Sequence, residues 1–153
     1  MSRILLITAL AAAVVSCAPS AREAREGELS QADRAAMLDT ARIREEGGRY
    51  VMDMVCAQSG ADIDFLILDV GGDVGAAPAL RIGAPACYGE AGAMITVFRR
   101  TDSALDVVLS EIAAGVTIES NRTAGVRDLA LDAGQEAPRL YRWTGARYEP
   151  APR

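Results

Sequence analysis

The rhythm of apolar positions changes twice along this chain. From Ile4 to Val15 twelve residues carry no charge. Residues 18–28, "APSAREAREGE", are alanine, proline and charge, and Leu29 is the first large apolar residue after them. Met37, Leu38 and Ala41 then share one arc at helical spacing, while Ile43 points almost opposite. Ser30-Gln31-Ala32-Asp33 supplies a start signal, because a serine oxygen can accept an early backbone N–H and an acid suits the positive end of a helix. The pattern predicts a thin-sided surface helix from Ser30 to about Glu46, stopped by Gly47-Gly48.

After Gly48 the period falls to two. Tyr50, Met52, Met54 and Cys56 alternate with Val51, Asp53 and Val55, and Phe65 to Leu68 run without a polar break, as in a strand covered on both faces. Further strands are predicted at Leu80 to Ile82, Ala93 to Arg99, Gly115 to Glu119 and Val126 to Leu131. The segment 105–112, "LDVVLSEI", suits either a strand or a short helix. Glycine and proline punctuate the intervals, as in "GGDVGAAP" and "DAGQEAP". The expected fold class is α+β, mainly an antiparallel β meander with one N-terminal helix.

The first apolar run is too short to span a bilayer, which takes roughly 18 or more apolar residues. With Arg3 ahead of it, it reads as the h-region of an export signal. It ends in Val14-Val15-Ser16-Cys17, which resembles the lipobox of bacterial lipoproteins: a branched aliphatic residue, two further residues and the thiol that takes the lipid. The resemblance implies removal of residues 1–16, a diacylglyceryl group and an N-acyl chain on Cys17, and a flexible tether over residues 17–29. Ala18 is not the aspartate that holds many such proteins at the inner membrane. The resemblance thus implies a cell-envelope protein anchored at the outer membrane and facing the periplasm. A plain signal-peptidase cut after Ala18, or an uncleaved segment, are the alternatives.

The residues that remain suffice for a single domain, expected over 30–149 with a tail at 150–153. All 16 basic residues are arginine, against 21 acids, and histidine is absent. The arginines are scattered apart from Arg99-Arg100, so the clustered basic face needed for nucleic acid is missing and no nucleic-acid partner is expected. With Cys17 assigned to lipid, Cys56 and Cys87 are left in a chain bound for an oxidising compartment, and a disulfide between them is expected. Two separately buried thiols are the alternative.

Three of the seven aromatic residues, Tyr141, Trp143 and Tyr148, lie within eight positions of "RLYRWTGARYEP". A two-residue loop at Thr144-Gly145 would set Tyr141 opposite Tyr148, Trp143 opposite Ala146 and Arg142 opposite Arg147. The last is a like-charge pair that disfavours this register. A longer loop sets Trp143 opposite Tyr148. The three rings either cap the core or form a binding surface for stacking a ligand. Gly125-x-x-Asp128-Leu129 followed by Tyr141-x-Trp143-x-Gly145-x-x-Tyr148 resembles the ending of a scattered set of small exported bacterial β-rich proteins. The resemblance supports the β-rich fold and implies no activity.

Chemistry is sparse. Without histidine there is no Ser-His-Asp or Cys-His set and no imidazole metal ligand. Asp69 and Asp73 flank a turn that lacks the remaining ligands of a calcium loop, so a plain turn is expected and no metal. Asp62 and Asp64 share one strand face and read as solvated acids rather than a glycosidase pair. No cofactor fingerprint occurs. The function expected is a non-catalytic envelope lipoprotein, held to the membrane by its lipid and binding or supporting an envelope protein or glycan. The alternatives are an inhibitor of a cell-wall hydrolase such as a lysozyme, and an envelope hydrolase that works with carboxylates.

Overall fold

The computed structural model describes residues 22–23, 28–54, 56, 60–134 and 137–152. The leader over 1–16 and Cys17 lie outside the described residues. The described chain is mostly antiparallel β-sheet with a helix near its start, but it forms three sheets and two helices rather than a single meander. In chain order the elements are β1 (Arg22–Glu23), α1 (Gln31–Thr40), β2 (Ile43–Glu46), β3 (Arg49–Met52), β4 (Asp62–Gly71), β5 (Gly75–Gly83) and α2 (Pro85–Tyr88). They continue with β6 (Ala93–Arg100), β7 (Leu105–Ile112), β8 (Gly115–Thr123), β9 (Val126–Asp132), β10 (Arg139–Trp143) and β11 (Tyr148–Pro150). One sheet has the order β1-β4-β5-β6-β7, a second β11-β10-β9-β8, and β2-β3 form a separate hairpin.

Two cores follow from the period of two. On β4, Leu68 and Val70 face one side and Ile67 the other; on β5, Ala77 and Ala79 oppose Leu80 and Ile82; on β6, Ile95 and Val97 oppose Phe98. The first set meets Ile118, Val126, Leu129 and Leu131 of the four-stranded sheet, so the two sheets form a sandwich. The second set packs under Met37 of α1, Ile43 and Met52 of the hairpin, and Tyr88 of α2. The five-stranded sheet is thus covered on both faces, which is why its central strands read as unbroken apolar runs. Pro78 lies within central β5, but the ladder to β6 starts only at Ala79, so the proline sits at an edge-like position.

The start of α1 follows its sequence signal. The Ser30 hydroxyl accepts from the Asp33 N–H at 3.0 Å and the Asp33 carboxylate accepts from the Ser30 N–H at 2.9 Å. The helix ends at Thr40, earlier than its pattern predicts. Arg42 takes a left-handed conformation (φ 55°) and turns the chain into β2, so that Ile43, opposite to the helix stripe in projection, becomes a buried strand residue. Gly47-Gly48 close the β2–β3 hairpin with φ 59° and 78°, the pair of positive values that a tight hairpin turn requires.

Part of the segment read as a tether is built into the fold. Arg22 and Glu23 pair with Ile67 and Leu66 of β4. Leu29 is buried in the second core. At the other end β11 extends to Pro150, and the Ala151 N–H donates to the Leu140 carbonyl at 2.8 Å.

Candidate functional site

The aromatic cluster near the C-terminus is core. Tyr141, Trp143 and Tyr148 are 2%, 1% and 4% exposed, so no ring face is open to a ligand. The longer-loop register holds: Trp143 pairs with Tyr148 and Arg142 with Glu149, which removes the arginine-arginine opposition of the two-residue loop. The Thr144 N–H and hydroxyl both donate to the Arg147 carbonyl, at 2.9 Å and 2.8 Å, and close the connection. Trp143 and Tyr148 meet edge to face at 5.3 Å, and the Arg99 guanidinium lies 5.8 Å from the Trp143 ring centre. The Tyr148 hydroxyl donates to the Arg127 carbonyl at 2.9 Å. Burial first, then the nearby Asp128 and Asp73, hold its proton on far above the usual phenol range.

Cys56 and Cys87 form a disulfide with their Cα atoms 5.2 Å apart, linking the connection after β3 to α2. Asp64 is ion-paired with Arg81 at 2.9 Å across the β4–β5 ladder, and both line an open cleft of about 840 Å³ that also includes Asp62 and Tyr50. Asp69 stands on β4 opposite Ala76, and Asp73 lies exposed in the turn beyond. Among the described residues no three Cys, Asp or Glu side chains gather in a way that could hold a metal ion.

The feature that sequence reasoning missed is on the helix side of the five-stranded sheet. A groove of about 250 Å³ opens between the end of α1, the β2–β3 hairpin and β7, lined by Met52, Met54, Tyr88, Met94 and Val107. Its floor carries Thr96, buried yet facing the Ser110 hydroxyl at 3.3 Å, so the polar atom has a partner. Of the large apolar side chains the structure leaves exposed, Met54 and Val107 (44% each) stand at this groove, and Ile112 (51%) closes the same strand. Three methionines give the groove a soft lining that can reshape around an inserted side chain.

Val107 belongs to β7, and β7 is an edge. Both edges of the four-stranded sheet carry features that disfavour pairing with foreign strands. β11 has three residues and ends in Pro150; β8 has an irregular register between Ile118 and Arg122 and the polar run Glu119-Ser120-Asn121. β7 runs for eight residues, contains no proline and no basic residue, and departs from regular pairing once, where Val108 stands extra between the Phe98–Val107 and Val97–Leu109 pairs. The bulge turns both Val108 and Leu109 into the sandwich and leaves Val107 and Ser110 on the groove side.

No family model, curated protein or solved structure matches this chain.

Proposed function

We propose that this chain is a non-catalytic envelope lipoprotein, anchored through Cys17 and acting as a binding module whose working surface is the outer edge of β7 with its adjoining groove. One observation carries the reading: an eight-residue edge strand without proline or basic residue adjoins the apolar groove and, among the described residues, carries two of the three exposed large apolar side chains. A single exposed apolar residue is ordinary, whereas several gathered along an open edge favour association.

The anchor fits this use. Four residues separate Cys17 from the start of β1, and the five steps between them reach at most about 18 Å. β1 and β7 are the opposite edges of one five-stranded sheet, about 19 Å apart at the usual strand spacing. A lipid at Cys17 therefore tethers the β1 side close to the membrane and favours presentation of β7 towards the periplasm. No described helix is long and apolar enough to cross a membrane.

Intact mass of the protein extracted from membranes tests the anchoring. The expected value is that of a three-chain acylated polypeptide starting at Cys17, lighter by two hydrogens for the disulfide. An unacylated mass from a soluble fraction would remove the reading. Inhibition of a basic cell-wall hydrolase is a second role for the same edge, favoured by its exposed acid Asp106; retained lysis by lysozyme in the presence of excess protein would eliminate it.

A further inference from the structure

We infer that β7 accepts an extended, basic, alternating apolar segment of another protein as an added antiparallel strand, with one of its apolar side chains seated in the methionine-lined groove. The inference rests on the proposed binding role and names the chemistry of the partner. An edge strand presents outward-pointing N–H and C=O groups at alternate residues, and a peptide that pairs with them gains affinity from backbone bonds and specificity from alternate side chains.

Charge selects the occupant. The strand "LDVVLSEI" bears Asp106 and Glu111 and no base. Asp106 is approached by Arg99 only at 3.5 Å, and Glu111 makes no ion pair among the described residues. A second copy is the simplest alternative occupant, since a two-fold axis can join two identical edges. In the antiparallel register that overlaps all of 105–112, however, Asp106 of each copy faces Glu111 of the other, two like-charge pairs in one short ladder. A strand carrying lysine or arginine at alternate positions turns both contacts from repulsive to attractive. Its other positions meet Val107, Ile112 and the groove.

The test uses the full chain as the cell produces it, in mild detergent, titrated with two synthetic octapeptides, one alternating valine with lysine and one alternating valine with glutamate. The lysine peptide is expected to bind at least tenfold more tightly and to slow amide hydrogen exchange within 105–112. Val107→Lys, an exposed position unconnected with the cores, is expected to weaken that binding at least tenfold without moving the urea midpoint. The paired change Asp106→Lys with Glu111→Lys is expected to invert the preference between the peptides. Equal affinity for both peptides, absence of binding, or protection appearing outside 105–112 would overturn the inference. So would concentration-dependent dimerisation abolished by Val107→Lys, which would assign the edge to a second copy. If a probe at Val107 captures an envelope protein in cells while neither peptide binds, the strand-addition inference falls and the broader binding role stands.

Discussion

The Asp33 carboxylate accepts a hydrogen bond from the Arg100 guanidinium at 2.8 Å, joining the first turn of α1 to the end of β6 across 67 residues of sequence. The same carboxylate caps its own helix through Ser30, so one group serves both a local and a long-range contact. Burial pushes its pKa up, but the bonds from Arg100 and from the Ser30 hydroxyl and N–H outweigh that and hold it below the ordinary value of 3.8. A carboxylate with a lowered folded pKa contributes stability above its unfolded pKa, and that contribution is lost as pH falls through the folded value. Stability should therefore decline below about pH 4, and Asp33→Asn should flatten that decline and cost about 0.5–1 kcal/mol at pH 7. Urea midpoints of both proteins at pH 7, 4 and 3 check this; parallel pH profiles would show that the pair contributes nothing.

Gly72 is fixed by two independent constraints. Its φ is +63°, and a Cβ there would lie 2.8 Å from Val126 Cγ2 and 3.0 Å from the Gly125 carbonyl oxygen, where the β4–β5 turn presses on the β8–β9 turn. Gly75 has a similar φ of +66° with open space around it. Gly72→Ala should cost about 2–3 kcal/mol and Gly75→Ala about 1 kcal/mol, the difference being the steric clash. Chemical denaturation of the two variants reads that difference directly, and equal losses would mean that the turns do not touch in solution.

Trp143 is the sole tryptophan and is 1% exposed. Its emission should be blue-shifted and poorly quenched by acrylamide, and Trp143→Ala should lower stability by about 3–5 kcal/mol. A red-shifted, readily quenched emission together with an unchanged urea midpoint would return these rings to the surface.

The Cys56–Cys87 bridge spans 31 residues of sequence and holds the connection after β3 against α2, beside the groove. Reduction, or replacement of both cysteines by serine, should cost about 2–4 kcal/mol. Urea midpoints with and without reductant measure it; coincident curves would show that the bridge does not constrain the unfolded chain.

Much of the strand content was legible because burial on both faces of β4, β5 and β6 leaves apolar runs that local inspection detects. Ser30 marked the start of α1 for the same local reason. The end of that helix was not legible, because Arg42 enters the left-handed region without glycine and Gly47-Gly48 serve equally as a helix stop and a hairpin turn. In 105–112 the Val108 bulge interrupts the alternation of β7, which is why helix and strand fitted that segment alike. The pairing of Arg22 with Ile67 left no pattern in so short a strand. The groove depends on sheet order: Met52, Met94 and Val107 come from three elements whose adjacency no local period encodes. The like-charge opposition of Arg142 and Arg147 did signal the longer loop, and the register Trp143–Tyr148 follows it.

The proposed binding role puts the partner at the outer edge of β7. A photo-crosslinking residue placed at Val107 in living cells, compared with one at Glu45 on the exposed β2–β3 hairpin, tests it most directly. A discrete adduct with an envelope protein is expected from position 107 and none from position 45. Adducts from position 45 with none from position 107 would contradict it.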